Sequence, residues 1–345
     1  MMLGMTLTGV AAEAANRMRF PEAYAHLRRH VTKSQVLIVV YHRVCPKEDP
    51  WSDVGTDRIS PSCFETQVAF FRKNYQTLSL SELAECIVRK EFPRRKALVI
   101  TFDDGYADNY VHAYPIMREH SVPATMFLST GHIGTGKLLW TDKVRYTVIH
   151  SRSRRLDLEE LGSYSLGSYY QRLRVGKTIG EKLKLLPNGR RNAIIEKLVA
   201  ISRVEIPGEL CDQLLLSWEK VAEMSRNGID VGAHSVTHPI LTKMPLEQAR
   251  TEILQSKKEI ERRLGKAVRF FAYPNGDFNT QIANLVRESG FVGACAVGNR
   301  WVGPHAGTYR LWRVVATEDF NKCMILFSGF WGDLQVFVKR TSDNM

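Results

Sequence analysis

Short apolar runs alternate with segments of helical periodicity along most of the chain. Six of these runs are rich in β-branched or aromatic residues and predict buried strands, at 35–44, 97–102, 124–130, 229–235, 268–274 and 291–297. Amphipathic helices are predicted between the strands, at 60–75, 80–90, 109–120, 218–228, 245–265 and 279–290. Strands that alternate with helices indicate a parallel sheet, so we expect an α/β fold, an incomplete, seven-stranded (β/α) barrel.

One long segment interrupts this alternation. After "LLWTDKVRY" the sequence becomes polar with helical periodicity, and strand patterns resume only near residue 229. We therefore expect a barrel over residues 36–320 that carries a basic, helical insertion at about 143–215. Residues 1–35 predict a helical leader, and residues 321–345 predict a segment that docks on the barrel.

Composition is typical of a soluble globular protein, with 44% hydrophobic and 24% charged residues in a chain of 345. The formal net charge of +12 favours acidic partners. Much of it lies in residues 143–203, where fourteen Lys and Arg face five Asp and Glu, a net charge of +9. A solvated helical face is the simplest interpretation of this segment.

Two other roles are compatible with a basic segment of this kind in general, nucleic-acid binding and docking to an anionic carrier. Nucleic-acid binding needs aromatic side chains and a reading module among the charges, and the tyrosines of this segment are too scattered, so we expect no nucleic-acid partner. A docking surface for an anionic carrier, such as a polyprenyl phosphate at an anionic membrane surface, is compatible with an enzymatic function elsewhere in the chain.

Cysteine usage and the termini bear on location. The six cysteines form no C-x-x-C pair, and their wide spacing indicates reduced thiols. The N-terminal residues lack the basic region of an export signal, and no run approaches eighteen apolar residues. We therefore expect a cytoplasmic protein, with the inner membrane face as one place of action.

Three loops with unusual polar residues directly follow predicted strands. They contain "TFDDGY" at 101–106, "GAHSVTHPILT" at 232–242 and "FAYPNGD" at 271–277. Loops after the strands build the active site of an α/β barrel. Asp and His side chains together suit Zn²⁺ or a similar divalent ion, and a site with few protein ligands leaves positions open for water and substrate.

Each loop has a simpler interpretation when it is taken alone. Asp-Asp-Gly after a strand is a common turn, since both residue types are turn formers. A single H-x-x-x-H is more often incidental than a metal pair. The order of the three loops, each placed after a predicted strand, favours a shared catalytic site.

These motifs resemble a known family. "TFDDGY" and "HSVTH" are similar to the first two motifs of the polysaccharide deacetylases, carbohydrate esterases that share the NodB homology domain. "FAYPNG" is similar to their third motif, and "VVYHRV" at 39–44 resembles the opening strand of one subgroup. The resemblance extends from about residue 36 to about residue 316, without the insertion.

The resemblance implies a role for each matching residue. Asp103 would be the general base, and Asp104 would bind a divalent metal with His234 and His238. Zinc is favoured for this metal, with cobalt, nickel and manganese as alternatives. The backbone N–H of Asn275 would hold the negative charge that develops on the acyl oxygen.

The sequence departs from the family pattern at two places. The third motif of the family carries an arginine that orients the base, and Ala272 stands at that position here; Arg313 could replace it. The late Leu-x-His that supplies the general acid is missing. In the similar subgroup a first-strand histidine does this work, which nominates His42, with His305 as the weaker candidate; a buried, hydrogen-bonded strand histidine is the simpler alternative for His42.

Taken with the resemblance, the motifs imply a metal-dependent deacetylase that removes N-acetyl groups from amino sugars in a polysaccharide, glycoconjugate precursor or lipid-linked oligosaccharide. Alternatives are a catalytically impaired carbohydrate-binding barrel and an O-acetyl esterase on the same scaffold. Five residues are expected to contact substrate: Tyr106, Trp140, Tyr273, Pro274 and Arg313.

Overall fold

Seven parallel strands form a closed barrel in the computed structural model, which describes residues 35–55 and 57–328. The strands are β1 (Val36–Tyr41), β2 (Ala97–Phe102), β3 (Ala124–Leu128), β4 (Asp230–Ala233), β5 (Phe270–Ala272), β6 (Gly293–Val297) and β7 (Leu311–Val315). Their order around the barrel is β1-β7-β6-β5-β4-β3-β2, and β2 pairs with β1 to close it. The predicted fold class is confirmed.

Minor strands extend this barrel at its margins. Gln76–Thr77 pairs with the start of β2, beside the stretch that pairs with β3. Arg43–Val44 continues the chain beyond β1 and pairs with Arg58–Ile59. This second pair extends the structure just beyond the carboxyl end of β1, beside the loops that follow the strands.

Alternation along the strands decides which side chains meet inside the barrel. Leu37 and Val39 of β1 belong to a hydrophobic cluster that also contains residues of the surrounding helices. Val36 and Ile38 belong to a second cluster, with inward-pointing residues of the other strands. Successive strand residues point to opposite faces. By the same period of two, Asp103 follows inward-pointing positions of β2 and reaches the mouth of the barrel.

Helices surround the barrel and carry the signals that end them. The Ser79 side chain caps the helix at Leu80–Arg89 in a capping box with Glu82, and Gly265 ends the helix at Leu246–Leu264 with a φ of 63°. The helices are α1 (Pro61–Asn74), α2 (Leu80–Arg89), α3 (Tyr114–Glu119), α4 (Trp140–Ile149), α5 (Tyr169–Lys184), α6 (Asn188–Ser202), α7 (Gly208–Leu214), α8 (Trp218–Arg226), α9 (Leu246–Leu264), α10 (Thr280–Glu288) and α11 (Phe320–Ser328).

The insertion folds around a core of its own. It contains α4 to α7 and an antiparallel hairpin of Arg155–Leu158 with Gly162–Ser165. The sequence predicts only helices for the insertion, so this hairpin is not predicted. Its first strand has the period of two that marks a strand, with Leu156 and Leu158 buried between exposed charged residues.

The predicted terminal segments fall largely outside the described residues. Residues 1–34 of the expected leader and residues 329–345 of the expected docking segment are among those not described. The first part of the docking segment forms α11, which packs on α1 with the rings of Phe327 and Phe71 5.3 Å apart. Within 35–55 and 57–328, no helix combines the length and the hydropathy that a membrane span requires.

Candidate active site

The acidic pair and the histidine pair meet at the carboxyl ends of the barrel strands. The N–H of Asp103 donates to the carbonyl of Tyr41 at 3.0 Å, so the pairing of β2 with β1 extends to the first acid. The N–H of His234 donates to the carbonyl of Leu128 at 2.9 Å, which extends β4 in the same way. The sheet itself therefore positions both residues.

Asp104, His234 and His238 form one buried cluster, called here the Asp-His-His cluster. The Asp104 Oδ1 atom lies 3.6 Å from Nε2 of His234 and 3.3 Å from Nε2 of His238. One ligand atom from each of the three residues lies within 4.8 Å of the others. Carboxylate and imidazole donors converge here at a spacing that a single divalent ion can bridge.

Hydrogen bonding prepares His234 as a ligand. Its Nδ1 lies 2.7 Å from the carbonyl oxygen of Ala272, which accepts a hydrogen bond from a protonated Nδ1. The lone pair of the neutral ring is then on Nε2, which faces Asp104. A backbone carbonyl of this kind is a common partner for a metal-bound histidine.

The ionisation of the Asp-His-His cluster suits a bound cation. Burial and the neighbouring charge of Asp103 raise the pKa of Asp104 well above its usual value. Burial lowers the pKa of His234 to about 4, and burial and the charge on His234 hold the pKa of His238 well below its usual range. Oδ1 of Asp104 is buried without a hydrogen-bond partner. A divalent ion fits this donor set, because it satisfies the carboxylate and uses the two neutral imidazoles.

Asp103 has a different partner from its neighbour. Nη1 and Nη2 of Arg313 donate to its two carboxylate oxygens at 2.6 and 2.7 Å, and both side chains are buried. Burial raises the pKa of the Asp103 carboxyl, but Arg313 and His234 outweigh it and hold the pKa far below its ordinary value. Asp103 therefore stays ionised. This agrees with the hypothesis that Arg313 replaces the arginine that is missing at Ala272.

A cavity of about 210 Å³ opens over the Asp-His-His cluster and Asp103. His42, Trp140 and Asn275 also line it, so six predicted catalytic and metal-binding residues and one predicted substrate contact share one space. The His42 side chain is 15% exposed, and its Nδ1 lies 3.9 Å from a carboxylate oxygen of Asp57. His305, the weaker candidate for the acid, is exposed on a loop and does not line the cavity.

Four predicted substrate contacts lie outside the lining of this cavity. Tyr106 is fully buried and its hydroxyl donates to Asp142 at 2.9 Å, while the hydroxyl of Tyr273 donates to the carbonyl of Tyr309 at 3.0 Å. Pro274 is buried in the turn after β5, and Arg313 lies beneath Asp103 with no exposed surface. None of the four lines the cavity, because each is used to hold the loops in place.

Several cavity residues were missed by the sequence prediction. Asp57 belongs to the loop before Arg58–Ile59, and Thr141 and Lys184 come from α4 and α5 of the insertion. The insertion therefore forms part of the wall of the site. No local motif marks these positions, since only the packing of the insertion against the barrel brings them together.

The first helix of the insertion contacts both loops that carry the Asp-His-His cluster. Nε1 of Trp140 donates to the carbonyl of His238 at 3.0 Å, and the Asp142 carboxylate accepts from Tyr106, two residues after Asp104. The guanidinium of Arg191 lies 4.5 Å from the centre of the Trp140 ring. Helix α4 thus links the two loops that carry the Asp-His-His cluster.

Left-handed backbone is concentrated at this site. Among the described residues, eight that are not glycine have positive φ, and five of them lie in the loops of the site: Asp57, Asp104, Ser235, His238 and Asn275. Such conformations cost about 1–3 kcal/mol each and persist where the surrounding structure enforces them, most often at functional sites.

Known proteins of one family are similar to this chain. Residues 90–294, more than half of the chain, match the polysaccharide deacetylase family. The Bacillus subtilis (strain 168) protein YxkH, whose name assigns it to the same family, is 22% identical over 278 residues, 80% of this chain and 70% of YxkH. A poly-β-1,6-N-acetyl-D-glucosamine N-deacetylase of Staphylococcus aureus (strain MSSA476) is 36% identical over 77 residues, 22% of this chain and 26% of that protein.

Solved structures show the same fold. The deacetylase PplD of Streptococcus pyogenes, in complex with acetate, aligns with a TM-score of 0.57 at 18% identity over 86% of this chain and 99% of its own. IcaB of Ammonifex degensii aligns with a TM-score of 0.55 at 17% identity over 86% of this chain and 97% of its own.

The chain belongs to the polysaccharide deacetylase family. Its enzyme class, a hydrolase acting on carbon–nitrogen bonds other than peptide bonds, is confirmed at the level of that family.

Proposed function

We propose that this protein removes N-acetyl groups from amino sugars of a polysaccharide or a lipid-linked oligosaccharide, with a divalent metal, zinc in preference, at the Asp-His-His cluster. The observation that carries the proposal is the division of the acid pair. Asp104 shares its site with two neutral histidines, whereas Asp103 is paired with Arg313 in the same cavity.

Asp103 acts in this scheme as the general base. It is ionised, fixed by two hydrogen bonds and exposed to the cavity by its position at the end of β2. A bound divalent ion supplies polarisation of the acyl carbonyl and lowers the pKa of water in the site. Arg313 orients the Asp103 carboxylate towards the cavity and holds it in the ionised form that accepts a proton.

His42 and Asn275 complete the scheme from opposite walls. His42 donates the proton that the leaving amine requires, and a carboxylate oxygen of Asp57 lies 3.9 Å from its Nδ1. Asn275 holds a left-handed conformation, φ 59°, at the turn after β5, and its backbone N–H stabilises the charge on the acyl oxygen. An amide needs the proton donor more than an ester does, because an amine is the poorer leaving group.

The nature of the substrate is supported by the relatives. The Staphylococcus aureus relative is named for a β-1,6-linked N-acetylglucosamine polymer, so oligosaccharides of this linkage are the first substrates to test. The alternative of a binding barrel without catalysis had the missing arginine as one support. That support weakens, because Arg313 forms the pair with Asp103.

We also propose that the enzyme acts at the cytoplasmic face of the membrane, with the basic insertion in contact with anionic lipid. The net charge of +9 over residues 143–203 supports this placement. Sedimentation with phosphatidylglycerol vesicles at low salt, and release at high salt, is the expected result. Equal binding to neutral vesicles would reject the proposal.

Acetate release from N-acetylated oligosaccharides, with and without a chelator, tests the proposed activity. We expect release from the N-acetyl substrate, loss of release after chelation and recovery on addition of zinc. An O-acetylated sugar of the same length is the comparison. Acetate release from the O-acetylated sugar alone would show that the enzyme is an esterase. Acetate release that a chelator does not change would contradict the proposed metal dependence.

A further inference from the structure

A second cavity joins the active site on the side of the insertion. It has a volume of about 240 Å³ and lies between helices α4 and α5. Four residues, Asp57, Trp140, Thr141 and Lys184, line both this cavity and the one over the Asp-His-His cluster. The two cavities are therefore neighbours, and the one between α4 and α5 is called here the α5 groove.

One face of α5 forms the wall of the α5 groove. Lys177, Gly180, Glu181 and Lys184 are three or four residues apart, so they lie along one side of the helix. From Lys177 to Lys184 the helix rises by about 10 Å. The opposite face is buried in the core of the insertion. The groove face is thus held rigidly and leads away from the reacting centre.

The α5 groove is open where Gly180 lies. A Cβ atom built on Gly180 meets no atom within 4 Å, whereas one built on Gly176 contacts α4 at 3.7 Å. Gly176 therefore brings the two helices together, and Gly180 leaves space beside them. A ligand in the α5 groove would therefore meet no side chain at position 180.

Three cationic side chains, Arg145, Lys177 and Lys184, line the groove with two carboxylates, Asp57 and Glu181. Among the residues that the structure describes, neither Arg145 nor Lys177 forms an ion pair, while Lys184 pairs with Glu181 at 2.9 Å. Lys177 is exposed, and the surrounding segment is the most basic part of the chain. Unpaired cations beside a catalytic cavity attract anions and select for them.

We propose that the α5 groove binds a sugar residue that flanks the reacting amino sugar and carries an anionic group, either a carboxylate or a phosphate. This inference rests on the proposed deacetylase function, because the flanking sugar enters the groove from the catalytic cavity. Arg145 and Lys177 meet the anionic group, and Gly180 provides the room for the ring. The enzyme then prefers acidic polysaccharides to neutral ones of equal length.

Charge reversal at Lys177 tests the preference. The probes are a neutral N-acetylglucosamine tetrasaccharide and two tetrasaccharides of equal length, one with glucuronate and one with phosphate groups. Lys177→Glu should lower kcat/KM for an acidic probe relative to the neutral one by about 10-fold. The loss should shrink near 1 M salt, where the screening length is about 3 Å. The probe that suffers the larger loss identifies the carboxylate or the phosphate.

Arg174→Glu is the matched control, because Arg174 is exposed on the same helix and does not line the groove. It should leave the relative preference unchanged. Side-chain volume gives a second test: KM for the acidic probe should rise from Gly180→Ala to Gly180→Leu. An equal effect of Lys177→Glu on the neutral and acidic probes, or of both charge reversals, would overturn the proposal.

Calorimetric titration of the acidic tetrasaccharides separates this inference from the proposed activity. If the wild type released no acetate from any probe, the deacetylase function would fail, while weaker binding by Lys177→Glu alone would still support the groove. If Lys177→Glu instead abolished binding to phosphatidylglycerol vesicles and left the tetrasaccharides unaffected, the groove would be a membrane contact and the proposal would be overturned.

Discussion

Arg313 donates hydrogen bonds to both carboxylate oxygens of Asp103, at 2.6 and 2.7 Å. Arg313 lies on β7, and β1 separates this strand from β2, which Asp103 follows. The pair is buried inside the barrel mouth. Planar, two-point contact of this kind fixes the direction of a carboxylate as well as its charge. The resemblance implies an arginine at the position of Ala272, and here Arg313 of β7 makes the contact with Asp103.

Arg313→Lys should lower kcat and change zinc affinity little. Lysine keeps the positive charge but contacts a carboxylate at one point, so we expect a loss of about 10-fold in kcat from misdirection of Asp103. Steady-state kinetics and zinc titration measure the two effects. Arg300→Lys, on an exposed residue of the loop after β6, is the control. An unchanged kcat would contradict the orienting role of Arg313.

His42→Asn should separate amide from ester hydrolysis. The amine leaving group needs a proton and p-nitrophenolate does not, so deacetylation of an amino sugar should fall by about 10²–10⁴-fold while hydrolysis of p-nitrophenyl acetate falls far less. His120→Asn, at the end of α3, is the matched control. Equal losses on both substrates would show that His42 is not the proton donor.

Asp142→Asn should change how stability depends on pH. Burial raises the pKa of the Asp142 carboxyl to about 6. Since the unfolded value is about 3.9, the native state binds the extra proton and loses stability as pH rises from about 4 to about 6. Asparagine can still accept from the hydroxyl of Tyr106. Relative to wild type, the variant should gain about 3 kcal/mol in free energy of unfolding between pH 4 and pH 8.

Denaturant titration across this pH range measures the effect. Glu119→Gln, on the exposed side of α3, is the control and should follow the wild type at each pH. A stability difference between Asp142→Asn and wild type that is constant from pH 4 to pH 8 would refute the assignment of an ionised, buried carboxylate at this position.

Trp140→Phe should weaken metal binding. The substitution removes the hydrogen bond from Nε1 to the carbonyl of His238 and keeps most of the packing. Loss of a partner that orients a ligand typically costs about 10–100-fold in metal affinity. Zinc titration against a competing chelator gives the value, and Trp218→Phe serves as the control. Unchanged affinity would mean that α4 does not position His238.

The acid and histidine pairs could be predicted because each lies directly after a strand that sequence periodicity reveals. The pairing of Arg313 with Asp103 was a hypothesis from residue type, since the contact requires closure of the barrel. Tyr106 and Tyr273, predicted as substrate contacts, do not line the cavity. A tyrosine beside a site can bind substrate or anchor a loop, and only their hydrogen bonds to Asp142 and to the carbonyl of Tyr309 distinguish the two roles.

The contribution of the insertion could not be predicted from its pattern. Its basic, helical character was visible, but Thr141 of α4 and Lys184 of α5 reach the cavity only because the insertion packs against the loops that carry the Asp-His-His cluster. Asp57 likewise approaches His42 through a loop without any motif. Contacts between segments far apart in sequence depend on packing geometry, which periodicity does not describe.

Asp103→Asn, measured for acetate release and bound zinc in the same sample, tests the central claim most directly. Asparagine retains the shape of the side chain but cannot accept the proton, and the Asp-His-His cluster is left intact. We expect zinc to bind as in the wild type and acetate release from an N-acetylated oligosaccharide to fall by about 10²–10⁴-fold. Full activity with zinc bound would contradict the account.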